Sequence, residues 1–244
     1  MENILILGQR RTGSNLLCHA ISFFDGYRNI NEFYTADSEN FFYDLLFSEE
    51  EKRVLFDWAS RPDKKADKEI LLYNIREEPV KAFELLNSII SENKVVKLLE
   101  HQLTQANKLY SAIDQFDKFI ILERSNTLEQ FVSEKIASQY DVWWDINTND
   151  FQIELDVEEY WNYCNVKDLF YQDIRSRLKD KNYITINYEQ DLIDGITDSL
   201  LTRLQSFLTN SPKIVREDRN RIKRQNTTDV TTKISNWDEV RKYI

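Results

Sequence analysis

The stretch from Ile4 to Leu17 constrains this chain more than any other. Ile4, Leu5, Ile6 and Leu7 form an unbroken apolar run, the pattern of a parallel strand covered on both faces. Gly8 follows at once and Gly13 comes soon after; they are two of only four glycines in 244 residues. So sparing a use of glycine places it where the backbone needs positive φ or where another group comes close. Thr12, Ser14 and Asn15 can donate side-chain hydrogen bonds, and Ser or Asn suits a helix start. Arg10 and Arg11 add positive charge. Free N–H groups, a helix N-terminus and cations together make an anion site, most simply for phosphate or sulfate. The bland alternative is an ordinary strand-to-helix turn with two surface arginines. The convergence of strand, glycines, hydroxyls and cations argues against it.

Gly8 and Gly13 fit the frame of a P-loop, but Ser14 stands where that loop has its lysine and Asn15 where it has the magnesium-binding hydroxyl. The phosphate cradle is kept, and the two groups that serve the β/γ-phosphates and Mg²⁺ are gone. Arg11 supplies a cation inside the loop instead. Here the sequence resembles the sulfotransferases, whose loop for the 5′-phosphosulfate of 3′-phosphoadenosine 5′-phosphosulfate (PAPS) reads Lys or Arg, Ser or Thr, Gly, Ser or Thr, then any residue. Arg11, Thr12, Gly13, Ser14 and Asn15 match it position by position. The resemblance implies that Arg10, Arg11, Thr12, Gly13, Ser14 and Asn15 bind the cofactor and that no metal is needed.

Further along lie two candidates for a general base. Glu32, followed by Phe33, is similar to the short Glu-Phe element that carries the base in the trehalose-sulfotransferase-like bacterial branch. Lys94 to Leu99 reads as a strand, followed by Glu100 and His101. Groups beyond the carboxyl end of a strand in an open α/β sheet are placed for a site, so Lys97, Glu100 and His101 all qualify. The eukaryotic enzymes carry a Lys-Thr-His at the comparable strand end, and His101 is the second candidate by that likeness. His19 reads as a packed helix residue.

Lys118 to Glu123 gives another strand, then Arg124, and a helix with Asn126 near its start. Arg124, Asn126, Leu128, Gln130 and Ser133 match the bacterial form of the sulfotransferase 3′-phosphate motif. The resemblance implies that Arg124 and Ser133 hold the 3′-phosphate. Tyr188, after a strand over 183–187, resembles the tyrosine that borders adenine. The tail is locally basic, and Lys223 and Arg224 resemble the cover over the nucleotide phosphates. Lys233 to Val240 resembles the closing segment of many bacterial members.

Composition bounds the rest. The net charge is −10, which argues against nucleic acid or an anionic membrane as partner. Cys18 and Cys164, the only two cysteines, make no disulfide framework and suit a reducing compartment. No signal peptide and no membrane span are apparent, so the expectation is a cytoplasmic protein. The expected fold is α/β, a P-loop-like three-layer arrangement with a central parallel sheet and helices on both faces. It forms a single domain over 1–244, with helix-rich or aromatic insertions at 36–93 and 141–165. Within the first, Phe41, Phe42, Leu45, Leu46 and Phe47 form one amphipathic face and 70–90 reads as helix. In the second, Trp143, Trp144, Phe151, Tyr160, Trp161 and Tyr163 offer packing or an acceptor lid.

The expected function is transfer of the sulfuryl group of PAPS to the hydroxyl of a small-molecule or carbohydrate acceptor. Glu32 or His101 acts as base, and Arg11 stabilises the leaving phosphate. Two rivals stay open. Phe119 to Glu123 also resembles a Walker B strand, which suits a nucleotide kinase or NTPase. A non-catalytic nucleotide-binding protein of the same fold is the other.

Overall fold

The computed structural model describes residues 2–35, 46–60, 65–143, 146–208 and 229–244. The expected contributions of Phe41, Phe42, Leu45, Trp144, Lys223 and Arg224 lie outside the described residues. Among those described, five strands form one parallel sheet: β1 (Ile4–Gly8), β2 (Tyr27–Asn31), β3 (Asn93–Leu99), β4 (Lys118–Glu123) and β5 (Tyr183–Asn187), in the order β2-β3-β1-β4-β5. Ile4 lies opposite Val95 on one side and Lys118 on the other, and Leu7 opposite Leu98 and Ile121.

Alternation along the strands sends side chains to two faces. Leu5, Leu7, Val96, Leu98, Phe119 and Ile121 point into one core. Helices α2 (Glu49–Ala59), α3 (Lys68–Glu77), α4 (Pro79–Ile89) and the C-terminal part of α7 (Val157–Leu178) cover it. Ile4, Ile6, Val95, Ile120, Leu122 and Ile186 point into the other, beneath α1 (Ser14–Ile21) and α8 (Asp198–Leu208). The result is the expected three-layer α/β fold. Both faces of β1 are sealed, so each of its buried aliphatic side chains contributes about 1.5–3 kcal/mol by burial.

A third cluster joins α6 (Thr127–Tyr140) and the start of α7 to the C-terminal segment, which ends in α9 (Trp237–Val240). The Ile153 N–H donates to the Lys233 carbonyl at 2.8 Å, and the Ser235 N–H donates to the Ile153 carbonyl at 2.9 Å. The Asn236 amide clasps Leu155, accepting from its N–H at 2.9 Å and donating to its carbonyl at 3.0 Å. Among the described residues no helix is long and apolar enough to cross a membrane.

Several local expectations differ from the structure. Sequence reasoning passes over β2 and counts Lys94 to Leu99 as the second strand. Tyr27–Asn31 is an edge strand, paired on one side only and half-polar, so it lacks the continuous apolar run of a central strand. The expected helix over 70–90 is two helices, because Pro79 has no N–H to continue the ladder and starts α4 instead. β3 runs directly into the short helix α5 (Glu100–Gln105), which places Glu100 and His101 in its first turn. α7 begins at Val157 and takes in Tyr160, Trp161 and Tyr163 of the aromatic stretch.

Candidate active site

β1 is central, with β3 on one side and β4 on the other. Chain segments leaving neighbouring strands in opposite directions open a crevice at their carboxyl ends, the usual ligand position in such sheets. The loop after β1 carries Arg10 and Arg11, and the loop after β4 carries Arg124. The structure joins them. Arg124 donates from Nη1 to the Arg11 carbonyl at 2.9 Å. Arg11 donates from Nε to Ser133 Oγ on α6 at 2.9 Å. Gln130, fully buried on the same helix, donates to the Arg10 carbonyl at 2.8 Å. Residues more than a hundred positions apart thus form one cationic cradle.

The loop itself is held in an unusual shape. Arg11 has φ 61° and Gly13 φ 82°; the left-handed region is easy for Gly and costly for Arg. A Cβ on Gly13 would lie 2.8 Å from the Tyr188 ring, and one on Gly8 would lie 2.8 Å from the Leu122 carbonyl. The Thr12 hydroxyl is buried and donates to the Gln9 carbonyl at 2.8 Å, so it braces the loop from inside. Ser14 opens α1 and is buried, while Asn15 is exposed. Burial first, and then the neighbouring Arg124 cation, lower the Arg11 pKa from its ordinary value.

Arg124 is itself nearly enclosed, with 5% exposure. Its Nη2 pairs with Glu129 at 2.9 Å and its Nε with Glu189 at 3.2 Å. The guanidinium lies 4.5 Å from the centre of the Tyr188 ring, a favourable cation–π distance. Glu189 also accepts from the backbone N–H groups of Ser125 at 2.7 Å and Asn126 at 3.3 Å. This carboxylate therefore sits at the N-terminus of α6 as a bound anion would. Tyr188, expected at the adenine, packs between Gly13 and Arg124. A cleft of about 310 Å³ opens beside Arg124, lined among others by Ser125, Thr127, Lys167 and Arg175. Lys167 is tied down there by the Arg124 carbonyl at 2.5 Å and Thr127 Oγ1 at 2.8 Å. Glu123, the acid that a Walker B reading needs, is ion-paired with Arg175.

On the β3 side, Glu32 emerges just past β2. Its Oε1 lies 2.8 Å from the ammonium of Lys97, and its Oε2 accepts from Gln102 Nε2 at 3.2 Å. Lys97 also donates to Asn15 Oδ1. His101 sits close by, on the first turn of α5. Burial, then the Arg10 cation, lowers its pKa to about 4, so it is a neutral imidazole at pH 7. Its Nδ1 is buried with no hydrogen-bond partner. Burial raises the thiol of Cys18, on α1 in the field of Lys97 and Glu32, to about 11.

The aromatic stretch contributes one clear element. The Trp143 carbonyl accepts from Arg11 Nη1 at 2.7 Å, and the Arg10 guanidinium lies 4.9 Å from the Trp143 ring. Glu134, next to Ser133, is 4.0 Å from Arg10, and burial raises its pKa. Sequence reasoning did not pair Lys97 with Glu32, nor Arg124 with Glu129 and Glu189. The one available signal was Lys97 itself: a lysine amid the apolar residues of a strand has to find a partner. Among the described residues no group of His, Cys, Asp and Glu is arranged to hold a metal ion.

No family model matches the chain, and no curated protein matches it either. Among solved structures, it overlays the sulfotransferase domain of the olefin synthase of Synechococcus PCC 7002 at 16% identity and TM-score 0.45, over 86% of this chain and 74% of that one. It also overlays TT1252 from Thermus thermophilus at 16% identity and TM-score 0.37, over 85% of this chain and 96% of the other.

Proposed function

We propose that this chain transfers the sulfuryl group of PAPS to an acceptor hydroxyl. The observation that carries the reading is the direct linkage of Arg11, Ser133 and Arg124 across the crevice between β1 and β4. Those are the residues by which the sequence resembles the two nucleotide motifs of sulfotransferases, and the fold brings them into one cradle. The donor set suits the group. Loop N–H groups and Arg11 suit a 5′-phosphosulfate, and Arg124 with the α6 N-terminus suits a second phosphate. A phosphate reaching Arg124 exchanges with Glu189, the more exposed of its two carboxylate partners, at 23% against 11% for Glu129.

Bound PAPS supplies an activated sulfuryl group on a good leaving phosphate. The chain's own residues do the rest. The loop amides and Arg11 stabilise charge growing on the leaving oxygen, the kind of preorganised donor that is usually the largest catalytic contribution. Glu32, fixed by Lys97 and Gln102, accepts the proton of the acceptor hydroxyl, worth roughly 10²- to 10⁴-fold. His101, neutral beside it, is the other candidate for that proton. The acceptor is a small molecule or carbohydrate, and the site needs no metal, membrane or nucleic acid.

The test is incubation with PAPS labelled at sulfur and a panel of hydroxylated acceptors, sugars included. Label transfer with equal release of 3′-phosphoadenosine 5′-phosphate (PAP), abolished in Glu32→Gln, agrees with the proposal. Turnover of ATP with Mg²⁺, with no transfer from PAPS, contradicts it.

A further inference from the structure

A base carboxylate beside a donor that carries several negative charges is an electrostatic conflict. Like charges at close range in a partly enclosed site repel strongly, and neither group can be dispensed with. We propose that Lys97 resolves the conflict as the positioning residue of this site: it neutralises Glu32 and ties it, through Asn15, to the loop that holds the anion. The inference rests on the sulfuryl-transfer reading and goes beyond it, because it concerns how the base and the donor can share one site.

The arrangement draws on three neighbouring elements. Glu32 follows β2, Lys97 lies in β3, and Asn15 belongs to the first turn of α1 after β1. The Lys97 side chain is only 3% exposed, and its ammonium bridges Glu32 Oε1 at 2.8 Å and Asn15 Oδ1. The second carboxylate oxygen is held by Gln102 Nε2 at 3.2 Å, and Gln102 is fixed in turn by the Leu99 N–H, which donates to its Oε1 at 2.8 Å. Each carboxylate oxygen therefore has its own donor, and the plane of the carboxylate is set. A buried lysine is costly unless it is paired. Val95, two residues back on the same face of β3, is apolar and fully buried, so an apolar residue is compatible with that side of the strand. What the lysine adds is charge, in hydrogen-bond contact with Asn15 just past the loop.

The inference predicts signs. Lys97→Met leaves Glu32 as an uncompensated carboxylate facing the anion on the loop. Glu32→Gln leaves Lys97 as an extra cation facing the same anion. Affinity for PAP, measured by calorimetry without added metal, should fall at least about tenfold in Lys97→Met. It should hold or rise in Glu32→Gln, and return to within about threefold of the parent in the double variant. Lys97→Arg, which keeps the charge, should recover most of the loss.

Glu32→Gln is nearly isosteric, so it stands as a test even where Lys97→Met does not fold. Weaker PAP binding in that variant overturns the assignment. So does a loss in Lys97→Met that the double variant fails to relieve, which is the behaviour of a lysine with a purely structural role. If the parent binds PAP and Lys97→Met costs as much in the Glu32→Gln background as in the parent, Lys97 alone was misassigned. If the parent binds no PAP, the sulfuryl-transfer reading falls and the assignment falls with it.

Discussion

Arg11 and Ser133, 122 positions apart in the chain, meet through a 2.9 Å hydrogen bond from guanidinium Nε to hydroxyl. The contact closes the gap between the loop after β1 and the helix after β4. Arg11 has a left-handed backbone conformation that a non-glycine residue seldom adopts. Strain of this kind persists only where surroundings over-determine it, and it gathers at binding and catalytic positions.

Arg124→Ala removes the cation that both faces the proposed phosphate and supports the Arg11 carbonyl. A charge-assisted hydrogen bond lost at such a place costs about 1.5–3 kcal/mol. PAP affinity should drop roughly tenfold to a hundredfold, read by calorimetry. Unchanged affinity would remove Arg124 from the site.

Glu189→Gln tests whether that carboxylate competes with the nucleotide. Glutamine keeps an oxygen for one of the Ser125 and Asn126 N–H groups, which meet different carboxylate oxygens, and gives up the charge opposing a phosphate at Arg124. PAP should bind more tightly, by about threefold to tenfold. Weaker binding would mean that Glu189 only buttresses Arg124 and that phosphate does not displace it.

Gly13 and Gly26 both have positive φ, 82° and 79°, but their surroundings differ. A Cβ at Gly13 meets the Tyr188 ring at 2.8 Å, whereas at Gly26 nothing lies within 4 Å. Gly26→Ala should cost only the backbone penalty, about 1 kcal/mol. Gly13→Ala should cost clearly more, about 2–4 kcal/mol, since Tyr188 is pinned by Arg124. Urea denaturation of the two variants decides it; equal losses would mean that the loop yields freely.

His101 gives a pH dependence. Its folded pKa lies near 4, below the ordinary value of 6.5, through burial and the Arg10 cation. The unfolded chain therefore binds the extra proton between these two values, and stability falls as pH drops through that window. Relative to His101→Gln, the parent should lose at most about 3 kcal/mol between pH 7 and pH 4. Parallel stability curves for the two proteins would show that His101 is freely hydrated in the folded chain.

Much of the site's framework is legible in the sequence because its parts are local. Ile4–Gly8 and Lys118–Glu123 are strands read from their apolar residues, and Asn126, read near a helix start, caps α6 by accepting from the Glu129 N–H. The expected parallel sheet with helices on both faces follows from those strands. β2 escapes because an edge strand needs no continuous apolar sequence. The division at Pro79 escapes because a proline opens a helix as readily as it ends one. The ion pairs escape for a different reason. Glu32 meets Lys97 and Arg124 meets Glu189 only after the strands have been ordered, and no spacing in the sequence encodes that order. The contact of Trp143 with the loop is of the same kind: its carbonyl matters, and a side-chain reading of the aromatic stretch could not single it out.

The most direct measurement is calorimetric binding of PAP against ADP and ATP, with and without Mg²⁺. Sulfuryl transfer predicts tight, metal-independent binding of the 3′-phosphorylated nucleotide, weaker binding of ADP, and no gain from Mg²⁺. Preference for ATP that depends on Mg²⁺ would contradict the assignment of the cradle formed by Arg11, Ser133 and Arg124, and would make this chain a nucleoside-triphosphate enzyme instead.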